Sequence, residues 1–103
     1  MVQTNFSWVK PKTLITYDLS NNIVSASDIA DASNGVLHTY VNINNDSHRY
    51  YLPNTTLWYA GSREQAKSAF IAALNKAKPA YSSCEINRLL ITEVGGEFAY
   101  IED

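Results

Sequence analysis

Hydrophobic and polar positions along this chain alternate with two different periods, and the switches between them divide it into elements. From Lys12 to Leu19 the pattern is strand-like, with Ile15, Tyr17 and Leu19 on one face. Upstream, the stretch to Pro11 alternates imperfectly through Phe6, Trp8 and Val9, which suits a short edge strand or an arm. Ser20-Asn21-Asn22 is turn chemistry. Ser25 or Ser27 then caps a short helix near 27–33, with Asp28 and Asp31 placed to favour its start and Asn34-Gly35 closing it. The competing reading of this stretch is a returning strand at Ile23-Val24.

The clearest helix follows Gly61. Ser62 and Gln65 form a capping box, and Ala66, Ala69, Phe70, Ala73, Leu74 and Ala77 recur at helical spacing to give one apolar stripe. Arg63, Glu64, Lys67, Asn75 and Lys78 lie off that stripe, and Pro79 prevents continuation. The helix should run from about Ser62 to Lys78 and pack its alanine-rich face on a sheet. Three further segments read as strands: Val36 to Ile43, His48 to Leu52, and Thr55 to Tyr59. Near the C-terminus, Arg88–Val94 and Glu97–Ile101 flank Gly95-Gly96, which predicts a tight hairpin turn. Strands, a long helix and more strands point to a single α+β domain over 1–103: an antiparallel sheet of about 4–6 strands with one long helix packed on it.

The hairpin between Gly35 and Pro53 has a constrained register. A loop over Asn44 to Ser47 sets Ile43 opposite His48, Val41 opposite Tyr50, Tyr40 opposite Tyr51, and Thr39 opposite Leu52. Leu37, Val41, Ile43, Tyr50 and Leu52 then form the better core face. His38, Tyr40, Asn42, Arg49 and Tyr51 share the other. Tyr and Arg are enriched at binding hot spots, so Tyr40, Arg49 and Tyr51 are the candidate partner-binding residues, with Trp58 and Tyr59 as a second anchor on the next strand. The plainer reading is a cross-strand tyrosine pair, or a face covered by another element.

Composition removes several functions. The chain has 103 residues, 46% of them hydrophobic, enough for one core without staples. Only 17% are charged, and the formal net charge is -2. That balance disfavours nucleic acid as a partner, because a non-specific binder needs a basic surface. Tyr40, Arg49 and Tyr51 would nonetheless suit base stacking, so a nucleic-acid-binding domain on this sheet face is the first alternative. No h-region opens the chain and no apolar run is long enough to span a bilayer, so the expectation is a soluble cytoplasmic protein without membrane association.

No catalytic, cofactor-binding or metal site is legible. His38 and His48 are the only histidines, and the hairpin register separates them by faces and by several residues of strand. Cys84 is the only cysteine, with no local feature of an activated nucleophile; a small residue in a loop or buried edge fits better. Asp46-Ser47-His48 holds triad residue types, but adjacent side chains point apart, and turn formation explains Asp46 and Ser47. An enzyme with unrecognisable residues is the second alternative.

In size, absence of motif and Asn- and Tyr-rich composition, the chain resembles small accessory proteins of phages and mobile elements, anti-CRISPR proteins among them. That likeness implies an inhibitor that binds a host enzyme or defence complex. The expectation is a non-enzymatic protein-binding module acting by steric occlusion, with a protein partner, no cofactor, and homo-oligomerisation left open.

Overall fold

The chain starts in one long strand, β1 (Val2–Leu19), and ends in another, β6 (Ile86–Glu102). Between them lie α1 (Ala26–Ala32), β2 (Leu37–His38), β3 (Tyr40–Val41), β4 (Tyr50–Tyr51), β5 (Thr56–Tyr59) and α2 (Arg63–Ala77). The computed structural model describes residues 2–21, 23–42, 48–79 and 84–102, and their side chains except at 2, 4–11 and 96–102. Ile43 and the turn Asn44 to Ser47 lie outside the described residues.

The strands form a four-stranded antiparallel sheet in the order β2-β5-β1-β6 and a two-stranded sheet, β3-β4. With the two helices this is the expected α+β architecture. α2 begins where its capping box predicts: the Ser62 hydroxyl accepts from the Gln65 amide, and the Gln65 side chain accepts from the Ser62 amide. It buries Ala66, Phe70, Ala73 and Leu74, the expected stripe. α1 is capped by Ser25 rather than Ser27, through a reciprocal pair with Asp28. Asn34 and Gly35 both take positive φ, 60° and 85°, and turn the chain from α1 into β2.

Opposed residues share a face, so the register sorts the sheet. Ile15 lies against Leu57 and Ile91, Tyr17 against Leu89, and Leu37 against Tyr59. This face meets both helices, and Ile15, Leu37, Leu57, Ile29 and Phe70 are fully or almost fully buried there. Thr13 is a buried polar residue of the same face; its hydroxyl donates to the Gly61 carbonyl at 2.6 Å, tying the entry of α2 to β1. Tyr17 stacks on Phe70 at 4.9 Å. Its buried hydroxyl has no hydrogen-bond partner among the described residues, and burial pushes its pKa up to about 12. Cys84 is fully buried in this core.

Three expectations need correction. Gly95-Gly96 is not a turn: β6 runs through both glycines, and Gly96 pairs with Trp8. The N-terminal stretch is neither a short edge strand nor a separate arm, because β1 continues through Pro11 and pairs with β6 from Val2 onward. Its alternation is imperfect because the register shifts there: Trp8 pairs with Gly96 and Lys12 with Val94, so Val9, Lys10 and Pro11 stand against Gly95. A bulge is where a strand accommodates proline. Finally, the predicted strand from Val36 to Ile43 divides, with Leu37–His38 joining the main sheet and Tyr40–Val41 the small one.

Candidate functional site

The β3-β4 hairpin adopts the register expected from its turn. Tyr40 pairs with Tyr51 and Val41 with Tyr50, and the Leu52 amide donates to the Thr39 carbonyl at 2.8 Å. Val41 is buried, while Tyr50 and Leu52 are half-buried. The opposite face carries the predicted cluster. The Tyr40 and Tyr51 rings sit 5.6 Å apart, and the Arg49 guanidinium lies 4.5 Å from the Tyr40 ring centroid. A side-chain hydrogen bond to Tyr51, then the nearby hydroxyls of Tyr40 and Tyr51, hold the Arg49 pKa above its ordinary value. Arg49 is exposed, Tyr51 is 54% exposed and Tyr40 is half-buried. The guanidinium is therefore held in place by stacking while its remaining donors face water.

The cluster does not stand on a flat surface. With Ser27 and Asp31 of α1, Asn34 and His38, it borders a groove of about 520 Å³. The groove thus joins aromatic rings, one cation from the hairpin and one carboxylate from the helix. No local signal in the sequence links α1 to the hairpin; the link depends on the αL turn at Asn34-Gly35 that folds β2 back beside the helix.

Trp58 and Tyr59 lie on opposite faces of β5. Adjacent strand residues point to opposite faces. Tyr59 packs against the core on the helix side. Trp58 lies on the other side, where its ring is 4.2 Å from His38 and 5.6 Å from the Lys12 ammonium. Its indole N–H donates to the Tyr40 carbonyl at 2.7 Å. Trp58 is thus a pin between the main sheet and the hairpin that presents Tyr40. Partial burial, and then the Lys12 charge, lower the His38 pKa, so His38 is neutral beside Trp58 at physiological pH.

The other reactive residue types are dispersed. His48 packs edge-on to Tyr50 at 4.5 Å. Among the described residues, no group of three or more His, Cys, Asp or Glu side chains is arranged to hold a metal. None of the described helices is long and apolar enough to cross a membrane. Comparison with protein-family models, with curated proteins and with solved structures finds no match.

Proposed function

We propose that this chain is a non-enzymatic protein-binding module whose contact surface is the Tyr40–Arg49–Tyr51 face and the groove beside it. The observation that carries the reading is Arg49 stacked on Tyr40, with Tyr51 paired beside it, at an exposed position. A pre-ordered Arg between rings loses little side-chain entropy on binding and offers both apolar area and hydrogen-bond donors. The partner this suits has an acidic or carbonyl-rich protrusion that can enter between the hairpin and α1. Size and composition direct the choice to a host enzyme or defence complex of the kind that phage accessory proteins block. Inhibition would come from occlusion, with the hairpin face covering the partner's working surface.

The test starts with capture of the partner from the native host and continues with affinities for the purified pair. Arg49→Gln and Tyr51→Ser should each weaken binding by about fivefold or more, roughly 1 kcal/mol, with the circular dichroism spectrum unchanged. Wild-type affinity in both variants would move the interface elsewhere. If the captured molecule is a nucleic acid whose affinity falls steeply with salt, the base-stacking alternative replaces this reading.

A further inference from the structure

We propose that β6 pairs with the β6 of a second copy of this chain, antiparallel across a two-fold axis at Leu90. This inference is independent of the proposed contact surface. It starts from the two ends of the main sheet. At one end, β2 is a strand of 2 residues, too short to template another. At the other end, β6 spans 17 residues and borders β1 alone among the described strands. From Arg88 to Val94 its register with β1 is unbroken, so the backbone there is regular, and no described hydrogen bond reaches its outer edge.

Natural edges of this length carry lysines, prolines or bulges that block pairing. Between Arg88 and Val94 this edge has no lysine or proline. Its two charged residues are both engaged within the chain. Arg88 meets Asp18 at 2.9 Å and Glu93 meets Arg63 at 3.7 Å. The apolar content is also open. Leu90 is 61% exposed, and Leu89 and Ile91 are half-buried beside the core. A concavity of about 490 Å³ borders Leu90, Thr16, Asp18 and Arg88, leaving room at the same point of the edge.

Self-pairing restricts the register. A two-fold axis normal to the sheet keeps each face on its own side, and opposed residues must share a face. The axis must then pass through a residue position, not between two. Centred on Leu90, the strand sets Leu90 against itself, Leu89 against Ile91 of the partner subunit, and Arg88 against Thr92 of the partner subunit. Apolar meets apolar on both faces, and no like charges are opposed. Centred on Ile91, Leu89 would face a glutamate. Centred on Leu89, Ile91 would face an asparagine and Leu90 an arginine. Leu90 is the self-complementary centre. The dimer would be one continuous sheet of eight strands, with the Leu89–Ile91 pairs joining the two cores. The Tyr40–Arg49–Tyr51 faces lie toward the opposite, β2 end and would stay open, one on each side of a bivalent molecule.

Sedimentation of the full chain over a range of concentrations tests this. The expected species is a dimer, and Leu90→Lys should shift the mass from twice to once that of the 11.5 kDa chain while the far-ultraviolet spectrum is retained. A second measurement fixes the register without a charge in the edge. Under mild oxidation Leu90→Cys should cross-link into a covalent dimer, because directly opposed strand residues lie within disulfide reach. Thr92→Cys should not, since the two introduced thiols would be four positions apart. A monomer at every concentration overturns the proposal, as does a dimer that survives Leu90→Lys. Cross-linking through Thr92→Cys in place of Leu90→Cys also overturns it.

Discussion

In the helix-covered sheet the principal side chains are out of reach of water: Ile15, Ile29, Leu57 and Phe70 are fully buried. In the hairpin, among its described residues, Val41 is the buried side chain, and Arg49 and Tyr51 are exposed. The sheet is held by burial of large apolar groups, worth ~1.5–3 kcal/mol for each such side chain. Among its described residues the hairpin is held by cross-strand pairing, the Leu52–Thr39 and Asn42–His48 hydrogen bonds, ring contacts, and an indole hydrogen bond from Trp58. A two-stranded hairpin is marginal by itself, so its order is borrowed from the sheet through Trp58. The two regions therefore divide the work: one supplies stability, the other leaves polar and aromatic groups exposed to solvent.

The helix-covered core should respond most strongly to truncation. Phe70→Ala should cost ~3–5 kcal/mol in denaturant unfolding, because the ring is fully buried against Tyr17. A near-neutral result would mean that α2 does not carry the core. Next is Ser62→Ala, which removes the acceptor for the Gln65 amide and should cost ~0.5–2 kcal/mol globally, read from the same unfolding curve.

Tyr17→Phe should act in the opposite direction. It removes a buried hydroxyl without a partner and should stabilise the domain by about 1 kcal/mol at neutral pH. Linkage adds a second readout. The folded-state pKa is raised to about 12, while an unfolded tyrosine titrates near 10. Wild-type stability is therefore fully retained below pH ~10 and falls as pH rises toward 12. The wild-type chain should lose more stability than Tyr17→Phe across that window, and parallel pH curves would reject the assignment.

The smallest global effect belongs to the hairpin pin. Trp58→Phe keeps a ring beside His38 but removes the donor to the Tyr40 carbonyl, a bond worth ~0.5–1.5 kcal/mol. Hydrogen exchange at the Leu52 amide, which bonds Thr39 across the hairpin, should accelerate while the amides of α2 keep their protection. If α2 exchanges faster by the same factor, hairpin and sheet open as one unit and the division of work is wrong.

Local rules made much of the fold legible. Capping chemistry at Ser62 and Gln65, spacing of Ala66, Phe70, Ala73 and Leu74, and proline at 79 settle α2 within a few neighbouring residues, because each acts within one or two helical turns. The hairpin register follows from turn residues and side-chain alternation in the same way, and it brought Tyr40, Arg49 and Tyr51 together. The same alternation argues against treating Trp58 and Tyr59 as one anchor, since neighbours on a strand cannot share a face. That signal was present in the sequence and points the other way from a shared site.

Near neighbours govern the helix ends, the apolar stripe, strand alternation and the hairpin register, so a short stretch of chain carries each of them. Other features depend on partners far away along the chain. Gly95-Gly96 satisfies every local condition for a turn. Yet β6 stays extended because Val2–Trp8, far away in sequence, provides a continuous pairing edge for Gly96–Glu102. A local hairpin would have left that N-terminal stretch without its ladder. The groove beside Arg49 and the open edge at Leu90 arise likewise, from which strand lies beside which. That choice is made by the total of backbone pairing and burial across the sheet, and no short window of residues contains it.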